Sequence, residues 1–156
     1  MMSPLYSLQK RMSSRYQSNG GRASLKEALL AQELFEKDDA LVEEIVDRIE
    51  IIKLTLDDVL IGDGRGERDL FLILSGKVAI LEGGEEVAVR SKGGYVGEMT
   101  LIDPDAKRSA TVVARDTTVV GRLDEPSFTA LANKYPALWR NLAITMVQRL
   151  NGTAEG

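Results

Sequence analysis

At 156 residues, with 44% hydrophobic and 28% charged side chains, the chain has the size and make-up of one soluble globular domain with a real core. Histidine is absent, which excludes His-ligated zinc and Ser-His-Asp catalysis, and the absence of cysteine fits a reducing compartment. The net charge of −4 argues against nucleic acid as the main partner, and the lack of a long apolar run or signal-peptide core points to a cytoplasmic protein with no membrane span.

Residues 1–22 are Ser-rich and carry Lys10, Arg11, Arg15 and Arg22 but no acid, and read as a flexible basic tail. Leu5, Leu8 and Met12 also have the spacing of a short amphipathic helix. After Asn19-Gly20-Gly21, a main domain over residues 23–150 opens with Ser24-x-x-Glu27, a capping box predicting a helix to about Phe35. Asp38 or Asp39 caps a second helix, with Val42, Ile45, Val46 and Ile49 on one face.

From Ile51 the period of the apolar residues changes to two. Short strands are predicted at Ile51–Leu54, Val59–Ile61, Leu70–Leu74, Val78–Leu81, Val87–Arg90, Ala110–Ala114 and Thr118–Leu123. Gly- or Asp-rich breaks separate them, and many short strands at such spacing argue for a sandwich or jelly roll. Gly62-Asp63-Gly64-Arg65-Gly66 lacks the Lys-Ser/Thr of a P-loop and is read as a turn. Pro126 opens a helix to about Asn133, and Pro136 restarts a last helix to Leu150, closed by Asn151-Gly152, with residues 151–156 as a tail. Trp139, Leu142, Ala143, Met146 and Leu150 form an apolar stripe on that helix, suited to packing on the barrel or on another chain.

The chemistry concentrates between Gly93 and Val112. Gly93, Gly94 and Gly97 permit tight turns and close approach to a ligand. Glu98-Met99-Thr100-Leu101 can form one helical turn, whose free N–H groups favour an anion. Ten residues on, Arg108 offers a planar fork of donors for phosphate, with the hydroxyls of Ser109 and Thr111 beside it. A carboxylate for sugar hydroxyls and a guanidinium for phosphate thus bracket one loop, which suits a sugar phosphate.

The run Gly97-Glu98-Met99-Thr100-Leu101 followed by Arg108-Ser109-Ala110-Thr111-Val112 resembles the phosphate-binding cassette of the cyclic-nucleotide-binding domain family. The likeness spans about residues 24–150. It implies an α+β, mainly β fold: a jelly-roll barrel with N-terminal helices and C-terminal lid helices. It also implies that Glu98 binds the ribose 2′-hydroxyl and Arg108 the cyclic phosphate, with Gly97, Met99, Thr100, Ser109 and Thr111 around the ligand. As the family's final helix covers the base, Trp139, Arg140, Thr145 and Gln148 are candidate base contacts. The ligand expected is a cyclic nucleotide monophosphate, with no other cofactor and no metal.

Three classes of function compete. A jelly-roll enzyme lacks the metal-binding histidines, and Glu98 with Arg108 forms no nucleophile–base pair, so no catalytic residue is expected. A ligand-free structural or dimerisation module is at odds with Glu98, Arg108 and the small Ala110 together. A sensor relaying occupancy to an effector module, in cis or in trans and possible also as a homodimer, fits best. Its alternative setting is the sensor half of a catabolite-activator-like transcription regulator. Gly-Glu-Met-Thr-Leu-Ile-Asp-Pro and Tyr-Pro-Ala-Leu-Trp-Arg resemble bacterial domains ahead of TIR-type phage-defence effectors, which implies a cyclic pyrimidine or purine nucleotide (cyclic UMP, CMP, AMP or GMP) as the alarm signal.

Overall fold

A computed structural model describes residues 19–62, 68–103 and 110–151. Two helices come first. Helix α1 spans Asn19–Leu30, and after a 3-10 turn at Glu33–Phe35 helix α2 spans Asp39–Arg48. The Ser24 capping box does not start α1, which already runs from Asn19, so Ser24 lies inside the helix. Burial of Leu25 and Leu29 under the rest of the fold outweighs the local cap signal. Asp38 does cap α2, its Oδ1 accepting the Leu41 amide at 3.1 Å.

Eight strands follow: β1 Glu50–Leu54, β2 Val59–Ile61, β3 Leu70–Ser75, β4 Lys77–Glu82, β5 Glu85–Ser91, β6 Tyr95–Val96, β7 Thr111–Ala114 and β8 Thr118–Leu123. They form two four-stranded antiparallel sheets, ordered β1-β8-β3-β6 and β2-β7-β4-β5, facing each other across a core. Strand β6 escapes sequence reading because it is two residues long and flanked by glycines. The predicted jelly-roll barrel with helices at both ends is the fold observed.

Alternation on β3 shows how the layers are joined. Phe71 and Ile73 point into the barrel with Ile52, Val78, Val96, Val112 and Val120. Leu70, Leu72 and Leu74 point the other way, into a second core with Leu29, Phe35, Ile45, Phe128, Leu131 and Leu142 from the helices. That explains the unbroken apolar run at 70–74, since both faces of β3 are covered.

Between β3 and β4, Gly76 adopts φ +81°, and a Cβ there would sit 2.4 Å from the Thr117 carbonyl oxygen. Only glycine fits this corner.

Helix α3 is a single turn at Met99–Ile102, α4 spans Glu125–Lys134 and α5 spans Ala137–Leu150. Asp124 caps α4, accepting the Ser127 amide at 2.9 Å, so Pro126 falls within the first turn and not at its first position. Polar contacts tie the helices to one another. Tyr135, between α4 and α5, donates its hydroxyl to Glu44 Oε2 at 2.6 Å, and Lys134 pairs with the same carboxylate at 2.7 Å. Asn141 Nδ2 donates to the Leu34 carbonyl at 3.2 Å, fastening α5 to the 3-10 turn. No helix among the described residues is long and apolar enough to cross a membrane.

Candidate functional site

Glu98 is held where β6 meets α3. The preceding Gly97 takes φ +93°, a left-handed turn that a larger side chain resists, and this swings the chain from the sheet into the helical turn. Leu101, one turn into α3, is buried in the helical core, while Met99 and Ile102 on the same turn are exposed. One side of α3 is therefore anchored to the helices, and the other is open. Thr100 lies in this turn, and Thr111 begins β7 opposite Leu81, half-buried. Arg108 and Ser109 lie outside the described residues.

The Glu98 side chain is nearly buried, yet the partner it has is not one of its loop neighbours. Arg149, in the last turn of α5, places Nη1 2.5 Å from Glu98 Oε2, with side-chain exposures of only 18% and 11%. A buried carboxylate requires such a partner, because an unpaired charge there would be costly. The same guanidinium lies 4.8 Å from the centre of the Tyr95 ring and donates through Nη2 to the Tyr95 carbonyl at 3.4 Å. Burial pushes the Tyr95 phenol above its ordinary pKa, opposed by the Thr145 hydroxyl and by the Arg149 and Arg90 guanidiniums.

Arg149 is the side chain at this site that sequence reading misses. It stands 51 residues from Glu98, and an arginine at the end of a helix reads as an ordinary C-terminal charge. The sequence-derived lid candidates are placed differently. Trp139 is half-buried against the helical core, its ring edge-on to Phe128 with centroids 5.4 Å apart, and its Nε1 donates to Asn133 Oδ1 at 3.1 Å. Arg140 is exposed on the next position. Thr145 and Gln148 line a cleft beside Arg149, with the β5–β6 turn on its other side. In the predicted stripe, Leu142 is buried, Met146 is partly so, and Ala143 and Leu150 face solvent.

The arrangement offers a carboxylate positioned by a glycine turn, clamped by an arginine from a helix remote in sequence. A sugar hydroxyl able to donate to that carboxylate would compete with the arginine for it.

Comparisons with known proteins bear on the family and the fold. A family model described as the cyclic nucleotide-binding domain matches residues 51–135. The Pycsar effector protein PaPycTIR of Pseudomonas aeruginosa is 33% identical over 137 residues, covering 88% of this chain and 44% of that protein. The cAMP-activated global transcriptional regulator CRP of Escherichia coli is 29% identical over 122 residues, covering 75% of this chain and 58% of that protein. Among solved structures, the catabolite activator protein of Thermus thermophilus superposes with a TM-score of 0.69 at 28% identity, covering 76% of this chain and 58% of the other. The chain thus spans roughly half the length of the relatives it matches. With a model covering more than half of its residues, and the barrel, glycine turn and carboxylate in place, this chain belongs to the cyclic-nucleotide-binding domain family.

Proposed function

We propose that this chain is a sensor for a cyclic mononucleotide and that its output is a movement of α5. Glu98 takes the ribose 2′-hydroxyl and Arg108 the cyclic phosphate, and the protein contributes binding, not chemistry. The observation that carries the relay is the Arg149–Glu98 pair. Arg149 holds Glu98 through Oε2, so a ribose hydroxyl bonding this carboxylate would share it with the end of α5 and change what holds that helix. A ligand shifts an equilibrium only through unequal affinity for two states, and a shared carboxylate supplies that inequality. The exposed Ile144, Val147 and Leu150 give the moved helix an apolar surface for an effector module or a second copy of the chain.

The similarity to the Pycsar effector protein PaPycTIR over most of the chain supports a TIR-type effector as the output, with cyclic UMP, CMP, AMP or GMP as the signal. A thermal-shift panel of the four nucleotides tests the binding, since a ligand that binds only the folded state raises its melting temperature. Trp139 is the only tryptophan and lies on α5, so its emission reports the relay. One nucleotide should stabilise the protein, shift that emission and alter amide exchange over 137–150 more than in the barrel strands. No stabilisation by any of the four defeats the sensor reading. Binding with flat emission and exchange defeats the relay.

A further inference from the structure

Strand β4 turns into β5 through Gly83 and Gly84, whose φ values of +62° and +85° close a tight two-residue hairpin. The register sets Glu82 directly against Glu85 across that turn. Like charges opposed in this way destabilise a strand pair, and a cation placed near both relieves it. Both carboxylates are exposed, and neither pairs with a cation among the described residues. Next to them, Glu86 shares a single guanidinium, Arg115, with Asp57, each at 3.5 Å. This corner of the second sheet therefore keeps an excess of negative charge. The acids of α2 are better matched, with Arg22 on Glu43 and Asp47 and Lys26 on Asp39 and Glu43.

The same sheet has an apolar outer face. Val59, Val113, Ala79 and Val89 stand in register across its four strands. Their chain neighbours Val78, Val112 and Ala114 point into the barrel, so this row points outward. The helical core lies against the other sheet, β1-β8-β3-β6. Leu56 and Val87, 61% and 53% exposed, adjoin Asp57 and Glu86 in the chain, so apolar and acidic groups alternate at this corner.

One stretch of the chain has the opposite signature. Residues 1–18 lie outside the described residues, and their sequence holds Lys10, Arg11 and Arg15, no acid, and Leu5, Leu8 and Met12 at helical spacing. The exposed Ile144, Val147 and Leu150 suit it less, because α5 carries Arg140 and Arg149 and no acid. We propose that this N-terminal segment docks on the acidic corner of the second sheet of its own chain. Leu5, Leu8 and Met12 face Leu56 and Val87, and the three cations lie over Glu82, Glu85 and Glu86. Extended, the segment reaches about 60 Å, several times the roughly 10 Å between two packed sheets. Tethering holds it at about millimolar effective concentration, so exposed ion pairs that are weak singly are enough.

The test uses the full chain, which has no cysteine, so Ser7→Cys carries a single nitroxide label. The label should broaden the amide signals of residues 56–59 and 82–88 more than those of the other strands. Broadening there should fall several-fold in Glu82→Lys/Glu85→Lys, and also at about 1 M salt, where the screening length is about 3 Å. Adding Lys10→Glu and Arg11→Glu to that variant should restore it, since the charges are then exchanged. Glu82 and Glu85 are exposed, and circular dichroism and melting temperature verify that the variants fold. Absent or uniform broadening in the wild type overturns the docking, as does broadening centred on residues 144–150. Broadening that ignores both salt and charge reversal overturns the pairing with Glu82 and Glu85. Broadening of isotope-labelled, nitroxide-free chains mixed with nitroxide-labelled ones shows contact between copies and overturns docking within one chain.

Discussion

Replacing Arg149 by alanine tests the link between the last helix and the cassette most directly. Three contacts vanish: the 2.5 Å charge-assisted bond to Glu98, the 3.4 Å bond to the Tyr95 carbonyl, and the guanidinium stacked 4.8 Å from the Tyr95 ring centre. A hydrogen bond to a charged group contributes about 1.5–3 kcal/mol, and a cation over an aromatic ring about 0.5–2 kcal/mol. Removing one member of a fully buried pair costs about 3–5 kcal/mol, because the other charge stays behind. Glu98 and Arg149 keep some exposure, and Arg149 sits in the last turn of its helix, so water can replace part of the loss. The expected destabilisation is therefore about 2–3 kcal/mol, or about 4–12 °C in melting temperature for a chain of this length. Urea unfolding followed by circular dichroism measures it. Crossing the change with Glu98→Gln isolates the pair, whose coupling should be about 1–2 kcal/mol. Binding should move the opposite way. Without its internal competitor, Glu98 should bind a ribose cyclic nucleotide more tightly, by up to tenfold or about 1.4 kcal/mol. A 2′-deoxy analogue, which cannot use the carboxylate, should gain nothing. A loss of stability below about 0.5 kcal/mol, the range of ordinary surface changes, would refute the buried-pair argument. Equal weakening of both ligands would show Arg149 to be a ligand contact and not a competitor.

Arg108→Ala should cost about 2–5 kcal/mol of nucleotide binding, and Arg108→Lys should also weaken it, because an ammonium cannot reproduce the fork. Unchanged affinity in either folded variant removes the phosphate role. Glu98→Gln should reduce the preference for ribo- over 2′-deoxy cyclic nucleotides, which paired titrations measure directly. Gly76→Ala forces a Cβ to 2.4 Å from the Thr117 carbonyl oxygen at φ +81°, so a loss above about 2 kcal/mol is expected in denaturant unfolding. The Glu44 carboxyl has its pKa lowered by the Lys134 hydrogen bond first and the Tyr135 hydroxyl second. A lowered folded pKa means stability that is present above the ordinary carboxylate value of 4.5 and lost as pH falls through the folded value. Glu44→Gln should accordingly flatten the acid limb of the stability curve, and an unaltered limb would contradict it.

The proposed relay would run through the contacts of α5. Leu101 of α3 is buried among the helices, Arg149 of α5 reaches back to Glu98, and Tyr135 at the α4–α5 corner is bonded to α2. The cassette therefore touches α5 at its far end, while the near end of α5 is tied to α2 and to the 3-10 turn through Asn141. Freed at Arg149, the C-terminal half of α5 is the part with least to hold it, as the exposure of Ile144, Val147 and Leu150 shows.

What could be read from the sequence was local or periodic. Alternation and turn residues placed β2 and β8 to the residue and the other predicted strands to within a few residues. A cap at Asp38 or Asp39 was legible because a cap depends on one residue and its neighbours, and the structure chooses Asp38. The cassette was legible because its glycines, carboxylate and arginine lie within one short stretch. Tertiary structure alone decided the rest. The start of α1, the covering of both faces of β3 and the seating of Trp139 on Phe128 depend on which surfaces meet, and distant segments set that. The Glu98–Arg149 pair joins a carboxylate and a guanidinium 51 residues apart. No period or motif links them; folding the last helix across the barrel brings them into one low-dielectric site, where a buried charge must find its opposite.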